Sequence, residues 1–157
     1  MFRSFNDMIN KKNLLDEQFL TRIKFLEENI KNLLRAYRVS IGLSDDKTWK
    51  DKDNFERSYV LPMDLVNDEY VLKGTNAIKS NPCKYFIGTV LGFKQSKPEV
   101  AGCWVILKTD VNAKSLFVTV GSHPTLKEFE VEGGDFSNVC LEIQKITFQD
   151  IDRFKKN

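Results

Sequence analysis

His123 is the sole histidine of the sequence, and it sits in Gly121-Ser122-His123-Pro124. A histidine can serve as a general base or activate a nucleophile. Here the nucleophile would be Cys103, with Asp110 or Asp135 orienting the imidazole. Cys103 lies in Ala101-Gly102-Cys103-Trp104-Val105, a strand-like run. A reactive thiolate is favoured instead at a helix N-terminus or beside cations. Ser122 adjoins His123, but neighbours in sequence rarely face each other. A loop histidine beside proline reads as a turn residue, and no catalytic residue is expected.

Metal and phosphate chemistry fare no better. Cys83, Cys103 and Cys140 are odd in number, far apart, and form no CxxC pair; this speaks against a disulfide framework and a structural zinc site. They read as reduced, small core residues. Asp45, Asp46, Asp51 and Asp53 are crowded enough for a divalent cation. Lys47, Lys50 and Lys52 interrupt them, however, and a calcium loop's mid-loop glycine and closing glutamate are missing. Gly133-Gly134 belongs to neither a dinucleotide fingerprint nor a P-loop and reads as a hairpin turn. Gly88 and Gly92 fall inside a long strand-like run, where glycine relieves crowding at a bend. No cofactor and no metal are expected.

Charge patterning is more informative. Glu128, Glu130 and Glu132 alternate with Lys127, Phe129 and Val131, so a strand there puts the three glutamates on one face. Val139, Leu141 and Ile143 alternate with Cys140, Glu142 and Gln144 in the same way. If the two runs pair, Glu142 joins the others in an acidic patch. Like charges held together cost energy, so such a patch suits docking of a basic partner. A basic ridge, Lys24, Lys31, Arg35 and Arg38, lies off the apolar stripe of the N-terminal helix and could track phosphates. Glu27 and Glu28 break it, and aromatic interleaving is absent.

The elements that position these residues follow from periodicity. Phe19, Ile23, Leu26, Ile30, Leu33 and Tyr37 recur at alternating spacings of four and three, one stripe of an amphipathic helix. The spacing predicts helix from about Leu14 to Tyr37, capped near Gly42, with a separate short helix at Phe5 to Ile9. Residues 19, 26, 33 and 23, 30, 37 form two seven-residue series of about three heptads, so a homodimer through this helix is a candidate assembly. Ser44 to Arg57 reads as a charged connection anchored by Trp49 and Phe55. Strand runs follow at Ser58–Pro62, Tyr70–Lys73, Lys84–Lys94, Val100–Lys108, Ser115–Val120, Leu126–Glu132 and Val139–Lys145. Their short polar links favour antiparallel neighbours in a meander. Thr147 with Asp150 resembles a capping box opening a last helix over 147–156.

The expected fold is therefore α+β: a long N-terminal amphipathic helix packed on a curved antiparallel meander of about five to seven strands, then a short C-terminal helix. Its 157 residues fit one domain, divided into a helical part (1–42), a charged connection (44–57), a sheet (58–145) and the closing helix. A formal net charge of +2 is too balanced to point to nucleic acid or a membrane surface. No N-terminal leader pattern and no long apolar run is visible, and with the cysteine usage a cytoplasmic location is expected. The leading functional reading is a non-enzymatic protein-binding domain, of the inhibitor or immunity type, that neutralises a basic partner such as a nuclease toxin through Glu128, Glu130, Glu132 and Glu142. One alternative is a ligand-binding or enzymatic pocket in the curved sheet, lined by Tyr85, Trp104, Phe117 and His123. Another is a nucleic-acid-associated regulator that uses the helix ridge.

Overall fold

The computed structural model describes residues 3–155. Helix α1 spans Phe5–Ser40 and α2 spans Ser137–Asp150. Between them lie β1 (Thr48–Lys50), β2 (Glu56–Ser58), β3 (Val60–Val66), β4 (Glu69–Leu72), β5 (Cys83–Lys94), β6 (Lys97–Thr109), β7 (Leu116–Val120) and β8 (Lys127–Val131). A 3₁₀ turn at Ile151–Phe154 follows α2. The fold is α+β, as the periodicities require.

The α1 start is fixed by a capping box: the Ser4 hydroxyl accepts from the Asp7 N–H, and the Asp7 carboxylate accepts from the Ser4 N–H. No break follows, so the two helices expected at Phe5–Ile9 and from Leu14 are one continuous helix. Its 36 residues extend for about 54 Å. Gly42, just past the end, takes φ +79°, a left-handed exit that glycine allows at no steric cost.

Six strands form one antiparallel sheet in the order β4-β3-β5-β6-β7-β8, and β1 pairs with β2 in a separate hairpin. The run β5 to β8 is a simple meander, and β4 lies outside β3, so residues 73–82 return from the edge strand to β5. The segment read as a charged connection contains the β1–β2 hairpin. One Asp51 carboxylate oxygen accepts from the Asp53 and Phe55 N–H groups, and the other binds Arg57 at 2.9 Å. The Trp49 indole N–H donates to the Ser58 carbonyl across the same hairpin.

Both helices pack on one face of the sheet. Leu26, Ile30, Leu33 and Tyr37 of α1 meet Tyr85, Ile87, Val105, Leu107, Val118 and Val120, with Val139, Cys140 and Ile143 of α2 completing the cluster. A smaller cluster of Leu61, Met63, Phe86, Val90 and Val100 lies on the opposite face, with Trp49, Tyr59, Tyr70 and Trp104 packed against it. Gly88 and Gly102 are direct cross-strand partners beneath it. A Cβ on Gly102 would collide with the Ile87 carbonyl and the Phe86 ring. Glycine there lets the aromatic ring lie on the backbone.

One element differs in kind from the expectation. Val139–Lys145 is not a strand but part of α2. The alternation of Val139, Leu141 and Ile143 is incidental, because Leu141 is 62% exposed while Val139, Cys140 and Ile143 are buried. Positions 139, 143 and 147 line one helical stripe. Thr147 is therefore an interior, buried residue and not a cap. Ser137 donates through both its N–H and its hydroxyl to Asp135 at the helix entry.

This difference is testable. Ile143→Ala is expected to lower the unfolding free energy by about 2–5 kcal/mol. Leu141→Ala should stay within about 0.5 kcal/mol, the usual range for surface positions. Urea unfolding of the two variants checks this; equal large losses would restore the strand pattern.

A candidate docking face on the open side of the sheet

Cross-strand register assembles a surface on the face away from the helices. Lys84 pairs with Ile106, Ile106 with Thr119, and Thr119 with Glu128. Beside this row, Lys108 pairs with Phe117 and Phe117 with Glu130. Each row runs from a lysine to a glutamate, the first over Ile106 and Thr119 and the second over Phe117. Strands spaced about 4.8 Å apart put the two ends of such a row roughly 10–15 Å from one another. The lysines and glutamates are exposed, and Trp104, Ile106 and Phe117 are half-buried. The Lys84 ammonium sits 4.4 Å from the Trp104 ring centre and that of Lys108 5.5 Å from Phe117. The cations thus partly shield the apolar strip. An apolar centre with a charged rim is the anatomy of a protein-binding patch.

Period two dictates this arrangement once the register is fixed. Tyr85, Val105, Val118 and Phe129 turn to the helices, and their neighbours must turn away. Glu128 and Glu130 therefore share the open face of β8, with Glu132 exposed just beyond the strand. The expected partner of this trio, Glu142, is elsewhere. It lies on α2, on the helix side of the sheet, where it approaches Lys127 at 3.5 Å with its side chain 12% exposed. The four-glutamate patch is corrected to three because the segment carrying Glu142 is helical.

The four pocket residues do not converge. Tyr85 is fully buried beneath α1, and its hydroxyl donates to the Gly74 carbonyl at 2.9 Å. Trp104 and Phe117 belong to the open face on adjacent strands, Phe117 pairing with Lys108 four residues along β6 from Trp104, and His123 is exposed in the loop between β7 and β8. Cys103 is buried among apolar side chains, which push its thiol up to about 12. That is the reverse of nucleophile activation. Burial likewise raises Cys83, to about 11, and Cys140. Asp110 and Asp135 hold loops: Asp110 accepts from the Lys114 and Ser115 N–H groups, and those bonds keep its carboxyl below the usual range. Asp45 approaches Arg38, and Asp51 caps its hairpin. Among the described residues no three His, Cys, Asp or Glu side chains gather as a metal site would need.

Two concavities lie close to these residues. A groove of about 810 Å³ runs between α1 and α2, over Ala36, Phe136 and Cys140. A cleft of about 370 Å³ lies beside Tyr70, Phe86 and Trp104, closed at one end by Asp150. Asp150 is not free to receive a ligand. It accepts from the Gly102 N–H and from Arg153, whose guanidinium also donates to the Val100 carbonyl. The pair satisfies the stretch of β6 that β7 does not reach. The basic ridge of α1 is exposed at Lys24, Lys31 and Arg35, with Arg38 half-buried.

The lysines of the open face were not singled out in the sequence, although the alternations Lys84-Tyr85-Phe86 and Trp104-Val105-Ile106-Leu107-Lys108 contain the signal. Only the register places them in rows with the glutamates. The fold and this face define an α+β domain with both helices on one side of the sheet and a polarised patch on the other. No protein-family model matches the chain, and no curated protein and no solved structure is similar enough to count as a match. No helix among the described residues is long and apolar enough to cross a membrane.

The thiol environment gives a direct check. At pH 8 a thiol-specific reagent should label none of the three cysteines in the folded protein and all of them in denaturant. Fast labelling of Cys103 in the native state would reinstate it as a nucleophile.

Proposed function

We propose that this chain is a non-enzymatic protein-binding domain that docks its partner on the open sheet face. The observation that carries the reading is the pair of cross-strand rows, each with a lysine at one end, a glutamate at the other and an apolar side chain between them, Ile106 (beside Thr119) or Phe117. A complementary partner presents basic groups to Glu128, Glu130 and Glu132, an apolar or aromatic group to Phe117 and Ile106, and acidic groups to Lys84 and Lys108. Opposed potentials of this kind steer association and fix orientation. An inhibitor that covers the cleft of a basic enzyme, such as a nuclease, is a protein of this description. The buried, raised thiols speak against thiol-based catalysis and fit a binding role.

The aromatic–cation pairs Trp104/Lys84 and Phe117/Lys108 would also suit a single-stranded nucleic acid. Glu128 and Glu130 on the same face would repel its phosphates, so a protein partner is the better fit.

The test compares immobilised wild type with two variants on lysate of the source cells, with and without nuclease. One stoichiometric protein should survive nuclease on the wild type. It should be lost from the triple variant Glu128→Lys, Glu130→Lys, Glu132→Lys, and be retained at least about tenfold less well by Phe117→Ala, the scale of a central aromatic anchor. All substituted positions are at or near the surface, and circular dichroism should show an unchanged fold. Equal capture by all three proteins would refute this docking face. Loss of capture on nuclease treatment would favour nucleic acid.

A further inference from the structure

The apolar stripe of α1 does not stop where the sheet stops. The positions Phe5, Ile9, Lys12, Asp16, Phe19, Ile23, Leu26, Ile30, Leu33 and Tyr37 follow one another at alternating spacings of four and three. From Ile23 onward this seam is buried against the chain's own core: Ile23 is 7% exposed and Leu26, Ile30 and Leu33 are 0%. Every residue from Phe5 to Leu20 is exposed. That overhang leaves Phe5 75%, Met8 60%, Leu15 53% and Leu20 56% exposed along one side. Its 16 residues run for about 24 Å.

We infer that a second copy of this chain covers the overhang, in an antiparallel helix pair about a two-fold axis near residue 14. The two polar seam residues select this occupant. Lys12 and Asp16 carry opposite charges, four residues apart, and within one chain their side chains meet at 2.8 Å. A two-fold interface must be self-complementary, residue i meeting j while j meets i. With the axis near residue 14, Lys12 faces Asp16 of the second copy twice over. The same register sets Ile9 against Phe19 of the second copy, with Met8 and Leu20 flanking the seam on its two sides. It brings Phe5 to Ile23, where the globular body begins. There Arg22 holds the Val111 carbonyl, and the Val111 side chain is 69% exposed, an apolar surface for the arriving phenylalanine. Polar residues at one point in an otherwise apolar seam are the device that fixes register in helix pairs. A parallel pair would instead oppose Lys12 to Lys12 and Asp16 to Asp16.

A bilayer fits the overhang less well. Between Phe5 and Leu20 the charged residues are Asp7, Lys11, Lys12, Asp16 and Glu17, a net charge of −1, whereas helices that lie on anionic membranes are rich in lysine and arginine.

Sedimentation equilibrium over a concentration series tests the pairing, with circular dichroism confirming that each variant folds. Wild type should show a reversible monomer–dimer equilibrium. Lys12→Asp and Asp16→Lys, each placing like charges opposite one another, should weaken it about tenfold or more. The double variant Lys12→Asp, Asp16→Lys restores both cross-pairs and should recover wild-type association. A protein that is monomeric throughout the series overturns the inference. So does a dimer indifferent to the single variants, or one that the double variant does not rescue, as a parallel pair would behave. Co-sedimentation of a monomeric wild type with anionic phospholipid vesicles would assign the overhang to a membrane surface instead.

Discussion

Everything else in this fold depends on the seating of the α1 stripe on one face of the sheet. Leu26, Ile30, Leu33 and Tyr37 are almost wholly withdrawn from water there, each worth about 1.5–3 kcal/mol in side-chain burial. Two consequences are geometric. A sheet has two faces, and α2 joins α1 on the same one, so the other is left for the hairpin β1–β2 and for solvent. A helix of about 54 Å also exceeds six strands spaced about 4.8 Å apart. Part of α1 must overhang.

The uncovered face is managed differently along its length. Toward the β5–β6 hairpin, the paired glycines at 88 and 102 admit Phe86, and Tyr70 stacks on that ring at 4.1 Å between centroids. Trp104 meets the other edge of Phe86 at 5.2 Å. This second cluster closes on itself with help from Trp49. Toward β7 and β8 nothing comparable forms. Long lysine side chains lie over aromatic rings there, and glutamates line the edge strand, where charge also discourages pairing with foreign strands. The edge of β6 that β7 leaves bare is closed by Asp150 and Arg153. Side chains there replace the hydrogen bonds a strand would have made. The polarised rows are thus a stretch of sheet face left free for another molecule.

The sequence carried the α1 stripe, the antiparallel order and most strand positions in plain view, since each depends on a single local period. The first hairpin of the large sheet was legible only in part: the strand expected to end at Pro62 runs on to Val66, and only Asn67-Asp68 turns, with the positive φ values, 51° and 64°, of a tight hairpin. What failed was the segment after Gly134. Seven residues of alternating hydrophobicity fit a strand as well as a helix, and only Phe136, Thr147 and the contact with Ser40 through Gln144 settle it as helical. That one error moved Glu142 through the sheet. The charge rows were illegible for another reason. The rows are made of residues from three or four strands, so they exist only after every register is fixed, and a shift by one residue in any strand would turn its members to the other face.

The two unpartnered surfaces differ in how they use charge. On the open face, opposite charges stand at the two ends of an apolar strip, which favours a partner with the reverse order and gives orientation without symmetry. On the overhang, Lys12 and Asp16 are next to each other at the middle of the seam, where a two-fold axis turns one pair into two. A heterologous partner has no need of charges centred on an axis; a second copy does. The surfaces are also independent in space: the open sheet face looks away from α1, so an antiparallel pair of overhangs would leave both open faces uncovered. Such a dimer would offer two identical docking faces joined by a rigid helical strut, and a partner that repeats its own binding surface would gain from engaging both at once.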